Sequence, residues 1–367
     1  MNPLTRHLFR ILSGHIDGFL LACTMILVGM GIVVLFSASD QSLPKIGSQV
    51  MNIAVACVVM WAIANVPPHQ LMRFALPLYI VGLLLLLGVA LFGEISNGAR
   101  RWLNLGIIRI QPSELMKIAV PMMLAWYFDR HESVLSLRNH AIAAVILVVP
   151  VLLIARQPDL GTAILIASSG FFVLFFAGLD WKILGGLFAS GLASLPILWS
   201  ILHDYQKQRL LTLIDPSQDP LGTGYHTIQS MIAVGSGGFI GKGWLHGTQA
   251  HLDFLPEHTT DFIFAVFSEE FGLVGNIFLL FMYLLVIARG LSIADGAPTL
   301  FSRLMAGSIT MTFFTYCFVN MGMVSGILPV VGVPLPLVSY GGTSMVTMLL
   351  GFGILMSIHT HKKLVKT

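Results

Sequence analysis

The sequence predicts an all-α, polytopic integral membrane protein, and three observations lead to this class. Of its 367 residues, 56% are hydrophobic and only 10% are charged, whereas a soluble globular protein carries roughly 25% charged residues. Apolar stretches about 20 residues long, the length of a membrane-spanning helix, recur along the chain. Polar residues concentrate between these stretches. Lipid rather than water must therefore solvate most of the protein surface.

About ten stretches are long enough to cross a bilayer as transmembrane helices. They are 18–37, 47–65, 74–93, 112–128, 139–155, 160–178, 182–202, 262–288, 301–323 and 337–358. A long polar segment, 203–261, separates helices 7 and 8 and is predicted to be an external loop. Arg6 and Arg10 precede the first stretch, which is too long for the apolar part of a signal peptide, so we expect an uncleaved spanning helix. All of 1–367 is expected to form one transmembrane domain.

The Lys and Arg residues of the short loops predict the orientation, because cytoplasmic loops are enriched in them. With the N-terminus inside, eleven lie on the cytoplasmic side: Arg6, Arg10, Arg73, Arg130, Arg138, Lys182, Arg289, Arg303, Lys362, Lys363 and Lys366. Six lie on the opposite side: Lys45, Arg100, Arg101, Arg109, Lys117 and Arg156. This asymmetry places both termini in the cytoplasm.

Acidic residues show the opposite distribution. Of the 17 Asp and Glu residues, five lie inside in this orientation, and the other twelve lie outside or just within the membrane on the outer side; the five are Asp17, Asp129, Glu132, Asp180 and Asp295. Charge near lipid is costly and usually marks function. The outer face is therefore predicted to hold the functional site.

Two classes of site receive little support from the composition. The formal net charge is only +3, and no run of Lys and Arg suggests binding to nucleic acid. Cys23, Cys57 and Cys317 are scattered in apolar stretches without the spacing of metal ligands. We expect them to be buried, inert thiols.

Arg100, Arg101 and Trp102 form the first polar group that is a candidate for binding. Arginine offers planar, bidentate donors that match phosphate. The alternative is an interfacial anchor, since Trp favours the headgroup level and Arg extends its charge toward water. The residues alone leave both interpretations open.

Two predicted helices start with the same pattern of Gln, Pro and a nearby acid. Glu114 and Lys117 follow Gln111-Pro112 and share one helix face, so they form either a structural ion pair or a ligand site. Asp159 follows Gln157-Pro158 and could simply cap its helix. Two such starts on one side of the membrane suggest a shared polar cavity.

Asp261 stands where the long segment re-enters the membrane. It could be a first-turn carboxylate, or a general base whose pKa is raised by partial burial. Glu269 and Glu270 lie two turns deeper in the same apolar helix, where a purely passive role is unexpected.

The long segment also raises two ligand hypotheses. Its glycines, Gly235 to Gly243, lack the Gly-Lys-Ser/Thr sequence of a nucleotide P-loop and fit a loop on the membrane interface better. Six potential ligands cluster in sequence without a zinc register: His246, His251, Asp253, Glu257, His258 and Asp261. A divalent ion, Mg²⁺ or Mn²⁺, shared with a phosphate substrate is the more plausible metal, and no organic cofactor is expected.

Glycine and proline interrupt the apolar sequence between Val324 and Ser344. Irregular backbone at membrane depth is tolerated only where it is buried in protein or lines a cavity. This segment is therefore either a broken helix of a transporter or a wall of an enzyme site.

Taken in order, several of these segments resemble the SEDS family (shape, elongation, division and sporulation), most closely its rod-shape members. The matching segments are Gly98 to Trp102, Gln111 to Glu114, Gln157 to Thr162, Pro256 to Phe262 and Pro334 to Gly342. The resemblance covers nearly the whole chain. It implies ten helices in the bacterial cytoplasmic membrane and an active site on the external face.

The resemblance also implies an activity, that of a peptidoglycan glycosyltransferase that polymerises lipid II during cell elongation. It implies a class B penicillin-binding protein as partner transpeptidase, alongside the elongation machinery. The essential aspartate of the family matches Asp261, and other polar positions match Arg101, Glu114, Lys117 and Asp159. The hypothesis is that Asp261 deprotonates the acceptor hydroxyl for an inverting transfer, while Arg101, Lys117 and a divalent ion stabilise the departing undecaprenyl pyrophosphate.

Two other functional classes remain open on the residues alone. A flippase or transporter of lipid II would also use intramembrane charges and a broken helix. A non-catalytic scaffold for the penicillin-binding protein would leave the outer charges unexplained.

Overall fold

The computed structural model describes residues 14–96, 99–104, 109–131, 137–157, 159–201, 207–208, 211–213, 215, 223–248 and 257–362. Its longer helices are α1 (Gly18–Ala38), α2 (Leu43–Ala64), α3 (Pro68–Arg73), α4 (Ala75–Phe92), α5 (Pro112–Arg130), α6 (Leu137–Ala155), α7 (Leu160–Phe176), α8 (Trp181–Ile201), α9 (Thr223–Ser236), α10 (Ile263–Asp295), α11 (Leu300–Val324) and α12 (Gly342–Thr360). Three short strands, β1 (Glu94–Ser96), β2 (Ala99–Asn104) and β3 (Arg109–Ile110), pair in chain order in an antiparallel sheet.

The helical membrane class predicted from the sequence is confirmed. Each of the ten predicted stretches overlaps one of these helices, and within the described ranges seven helices are long and apolar enough to cross a membrane. Ten crossings therefore remain a prediction. The three strands were not predicted, and the last helix begins at Gly342 rather than at 337, after a segment that contains Pro334 and Pro336.

The long helices alternate in direction, and this brings the polar motifs to one end of the bundle. The start of α5, the start of α7 and the start of α10 share this end with strands β1 to β3 and with the segment 325–341. We call it the site end, and we call the opposite end, where α5 and α10 finish, the far end. The predicted external charges therefore share one end.

Helix α11 is the centre of the bundle. It packs against α5, α7, α10 and α12, and its Phe313 is fully buried between Tyr283 of α10 and Phe352 of α12. Ring centroids in these two contacts are 5.6 and 5.3 Å apart, which is the range of favourable aromatic pairs. A residue of α11 near the site end therefore belongs to a helix that is packed on several sides.

Helix α10 is broken at Gly272, whose φ of +62° and ψ of −160° are non-helical. The segment that follows α9 fills the break: Leu273 N–H donates to Gly238 O and Val274 N–H to Phe239 O. In return, Gly243 N–H donates to Glu270 O. Backbone groups freed by a broken helix in a membrane must find such partners. Part of the predicted long loop is thus a helix followed by a segment docked on α10.

At the far end, one carboxylate joins three helices. Asp17 caps α1 by accepting from Leu20 N–H, and its Oδ2 lies 2.5 Å from Arg289 Nη2 of α10 and 3.6 Å from His359 Nε2 of α12. Asp17 is almost fully buried. This acid, predicted on the cytoplasmic side, thus holds the fold together away from the site.

Candidate active site

Asp261 lies in a turn, Glu257 to Phe262, that leads directly into α10. Three consecutive carbonyls of this turn accept hydrogen bonds from outside it. Tyr340 N–H donates to Thr259 O (2.9 Å), Ser339 Oγ–H to Thr260 O (2.6 Å), and Asn320 Nδ2–H to Asp261 O (2.7 Å). The backbone at Asp261 is therefore fixed to α11 and to the segment before α12.

The Asp261 carboxylate is partly buried beside a glycine. A Cβ at Gly332, which has φ of +72°, would lie 3.3 Å from Asp261 Oδ2. Burial and, to a smaller extent, the negative charge of Glu257 raise the pKa of Asp261 to about 6, while the positive charge of Arg101 acts in the opposite direction. A carboxylate with a pKa near 6 suits general base catalysis near neutral pH.

Arg101 of β2 pairs with one carboxylate and acts electrostatically on a second. Its Nε lies 3.7 Å from Asp159 Oδ2, and its charge also acts on Asp261. The Arg101 side chain is about one-third exposed, at 36%, whereas that of Asp159 is 7% exposed. The structure thus brings together the three predicted residues Arg101, Asp159 and Asp261, although Arg101 and Asp261 are far apart in sequence.

Asp159 also caps α7, as one of its two interpretations predicted. Its Oδ1 accepts from Thr162 N–H at 3.3 Å. One carboxylate oxygen therefore serves the helix start and the other faces Arg101. The capping and binding interpretations are compatible.

Glu114 and Lys117 form a close ion pair on α5. Lys117 Nζ lies 2.6 Å from Glu114 Oε1, and both side chains are largely buried. Lys117 Nζ is also 5.2 Å from the centre of the Tyr316 ring of α11. Tyr316 packs with Leu165 and Val333, which places this pair on the same side of α11 as the start of α7.

An apolar groove of about 670 Å³ opens next to this ion pair. Residues of α2, α5 and α12 line it together with the turn between α3 and α4. Most of the lining is aliphatic or aromatic, and its polar members include Arg109, Gln111 and Glu114. Glu114 thus lines the apolar groove and also contacts Lys117.

Glu269 and Glu270 lie outside this cluster of charges and anchor the segment after α9. Glu269 Oε1 accepts from Lys242 Nζ at 2.6 Å and from Thr248 N–H at 2.9 Å. Glu270 Oε1 accepts from Leu245 N–H at 3.2 Å and from the hydroxyl of Ser37. These contacts give the two acids a role in holding the segment against α10.

The metal hypothesis stays a prediction. Among the described residues, no group of three or more His, Cys, Asp or Glu side chains is placed to hold an ion. His251 and Asp253 lie outside the described residues, as does Pro158 of the Gln-Pro-Asp pattern. The donor set around Arg101 fits a divalent ion only if a substrate supplies further oxygens.

The sequence did not point to Asn320, Gly332 or Tyr316. Asn320 is fully buried in an apolar helix, and a buried amide at membrane depth was an available signal. Gly332 was one of several glycines between α11 and α12, and nothing in the sequence distinguished it. Tyr316 looks like any aromatic residue of an apolar helix.

Comparisons with known proteins agree with this architecture. Residues 18–364 match the FTSW_RODA_SPOVE family, described as "Cell cycle protein". The chain is 54% identical over 351 residues to "Peptidoglycan glycosyltransferase MrdB" of Escherichia coli K12, covering 95% of both chains. It is 31% identical over 423 residues to "Peptidoglycan glycosyltransferase RodA" of Treponema pallidum, covering 94% of this chain and 98% of that protein.

Two solved structures resemble the fold over almost its full length. One comes from work on "structural coordination of polymerization and crosslinking by a peptidoglycan synthase complex", with a TM-score of 0.83, 33% identity, and 95% of this chain and 99% of that chain covered. The other is the rod-shape-determining protein RodA of Thermus thermophilus, with a TM-score of 0.71, 28% identity, and 94% and 96% covered.

Proposed function

The chain belongs to the family of FtsW, RodA and SpoVE, and on this premise we propose that the cluster of Asp261, Arg101 and Asp159 is the active site of a peptidoglycan glycosyltransferase. The protein is a multi-pass bacterial membrane protein, and its activity in cell elongation follows from its relatives. The observation that carries the site is that one arginine is paired with Asp159 and acts electrostatically on Asp261, whose pKa is raised.

The proposed substrate is lipid II, a disaccharide-peptide on undecaprenyl pyrophosphate. Such a molecule requires cations for its pyrophosphate and an apolar path for its lipid chain. Arg101 and Lys117 supply the cations, and the groove of about 670 Å³ beside Glu114 supplies the path. The groove and the charges meet at Glu114, which is the arrangement an amphiphile needs.

The reaction is an inverting glycosyl transfer. Asp261 accepts the proton of an acceptor sugar hydroxyl, and the oxygen attacks the anomeric carbon of the donor from the face opposite the pyrophosphate. The bond from the anomeric carbon to the phosphate oxygen breaks, and its electron pair leaves with undecaprenyl pyrophosphate. A pKa of about 6 leaves Asp261 mostly ionised near neutral pH and thus able to accept the proton.

Positive charge stabilises the departing pyrophosphate. Arg101 offers donors in a planar fork that suits phosphate oxygens, and Asp159 orients it through the 3.7 Å contact. A divalent ion bound jointly by the pyrophosphate and by carboxylates of this cluster would add to this stabilisation.

The site end faces the outside of the cytoplasmic membrane in this proposal, and both termini are cytoplasmic. The asymmetry of Lys and Arg supports this orientation. A class B penicillin-binding protein is proposed as the partner that crosslinks the new strands, because a similar chain occurs in a peptidoglycan synthase complex. The elongation machinery is proposed as the wider assembly.

The test is polymerisation of lipid II by the purified full-length protein, followed on a gel of glycan products. Asp261→Asn keeps the size of the side chain and removes the base, so product should fall by about 100-fold or more. Glu257→Gln, in the same turn, is the matched control and should retain most activity. Full activity of Asp261→Asn, or translocation of fluorescent lipid II across vesicles without polymer, would overturn the proposal.

A further inference from the structure

We propose that Asn320 and Ser339 are positioning residues for the transfer reaction, because they hold the backbone of the turn that carries Asp261. The inference rests on the proposed function and adds two residues that do not contact the reacting atoms. Each donates a side-chain hydrogen bond to one carbonyl of this turn: Ser339 Oγ to Thr260 O at 2.6 Å, and Asn320 Nδ2 to Asp261 O at 2.7 Å.

The turn needs external support because its own backbone hydrogen bonds converge on a single carbonyl: the N–H groups of Thr260 and Phe262 both donate to Glu257 O, at 3.1 and 3.2 Å. Glu257 at its start has φ of +54°, a backbone conformation that residues other than glycine rarely adopt. Phe262, the N-cap of α10, offers no side-chain cap. The carbonyls of the turn precede the helix, so hydrogen bonds from α11 and from the segment before α12 are needed to fix the position of Asp261.

Asn320 has the chemistry for this task. Both of its amide hydrogens are used, since Nδ2 donates to Asp261 O at 2.7 Å and to Val333 O at 2.6 Å. It thereby joins α11 to the turn and to the backbone next to Gly332, which lies beside the Asp261 carboxylate. Its Oδ1 is buried and has no hydrogen-bond partner among the described residues. A buried acceptor without a partner destabilises the fold. The amide is therefore not explained by its oxygen, and the two hydrogen bonds that its nitrogen donates give the reason for an asparagine at this position.

Ser339 connects the same turn to the segment before α12. Its Oγ–H donates to Thr260 O, while its Oγ accepts from Leu335 N–H at 2.8 Å. The segment is braced in turn by the buried Gln49 of α2, which donates to Ser339 O and accepts from Gly341 N–H, both at 3.3 Å. The Ser339-Tyr340-Gly341 sequence therefore acts on catalysis through the turn of Asp261.

The placement of these residues predicts a specific kinetic signature. Residues that only position the base should lower kcat and leave the KM for lipid II nearly unchanged, because substrate contacts remain. A shift of the base by about 1 Å can reduce the rate about 100-fold. A residue with a purely structural role would instead lower the stability and the amount of folded protein, and leave kcat of the folded fraction unchanged.

The experiment measures kcat, KM and thermal unfolding of full-length variants in lipid II polymerisation. Asn320→Asp keeps the shape but replaces the donors with oxygens, and Asn320→Leu removes the polar group. Both should lower kcat by about tenfold or more, and Ser339→Ala by about threefold or more, with KM changed less than about threefold. Because Ser339→Ala deletes one hydroxyl, it decides the question if the Asn320 variants do not fold.

Ser308→Ala is the matched control. Ser308 is on the same helix, is fully buried, and donates to Ser169 O of α7 at 2.7 Å, far from the site. It should lose a similar amount of thermal stability and keep kcat within about twofold. The inference fails if the Asn320 and Ser339 variants keep kcat within about twofold, if they raise KM alone, or if Ser308→Ala loses kcat equally. Full activity of Asp261→Asn in the same assay would instead contradict the proposed function itself.

Discussion

Arg101 Nε lies 3.7 Å from Asp159 Oδ2, so a strand between α4 and α5 is joined to the N-terminus of α7 by an ion pair at the site end. Asp159 is largely buried and Arg101 is about one-third exposed. The arginine is therefore held by Asp159 while part of its side chain stays exposed. In the proposed function, this exposed part binds the anionic substrate.

Replacement of Arg101 should weaken both the binding of the substrate and the stabilisation of the transition state. Arg101→Gln removes a charged donor from the site, so kcat/KM for lipid II should fall about ten- to 100-fold. Arg130→Gln is the matched control, since Arg130 ends α5 at the far end, where its Cζ lies 4.7 Å from the centre of the Trp126 ring. Equal losses in both variants, measured by initial rates of polymerisation, would show that Arg101 has no special role.

The pH–rate profile should report Asp261. With a pKa of about 6, its ionised, proton-accepting form is lost as the pH falls, so kcat/KM should drop about tenfold per pH unit below about 6. Because the charge of Glu257 raises this pKa, Glu257→Gln should move the acidic limb to lower pH. Glu94→Gln, which removes a surface carboxylate, should leave the limb in place. A limb that does not move in Glu257→Gln would contradict the assignment to Asp261.

The Glu114–Lys117 pair should show strong coupling in a double-mutant cycle. Lys117→Met leaves a buried carboxylate without its 2.6 Å partner, and breaking a buried ion pair costs about 3–5 kcal/mol. Lys117→Met combined with Glu114→Gln removes both charges and should recover a large part of that loss. Thermal unfolding of the four proteins in detergent measures this; simple additivity of the two single losses would exclude a coupled buried pair.

Gly332→Ala tests the space beside the Asp261 carboxylate. Its Cβ would approach Asp261 Oδ2 to 3.3 Å, in addition to the strain of φ +72°, which is about 1–2 kcal/mol for such a conformation. Gly238→Ala has a similar φ of +56° with no atom within 4 Å of its Cβ, so it carries the strain alone. Polymerisation should fall in Gly332→Ala beyond the loss in Gly238→Ala, and equal activity in the two variants would rule out a constraint on Asp261.

Much of the site could be predicted because charge is conspicuous in an apolar sequence. Asp261, Asp159 and Arg101 stood out since an ionisable group beside lipid is expensive, and the structure brings these three together. The Glu114–Lys117 pair followed from helical spacing and is confirmed as a contact. Glu269 and Glu270 stood out for the same reason, yet their described partners are the docked segment after α9.

The strands and the docked segment could not be predicted in the same way. Strands β1 to β3 are short, and in the part of the chain that the structure describes they pair with each other. Their sequence therefore carries no long periodic pattern. The break at Gly272 depends on backbone groups of Gly238 and Phe239 that reach it from another segment.

The sequence by itself determined that lipid surrounds most of the protein, where the helices approximately lie, and which charged residues are candidates for catalysis and binding. It could do so because hydrophobicity and charge are properties of single residues. Only the tertiary structure decided that the carbonyls of Thr260 and Asp261 are held by Ser339 and Asn320. Backbone carbonyls are the same in every residue, so their partners depend on which segments meet in space and leave no mark in the sequence.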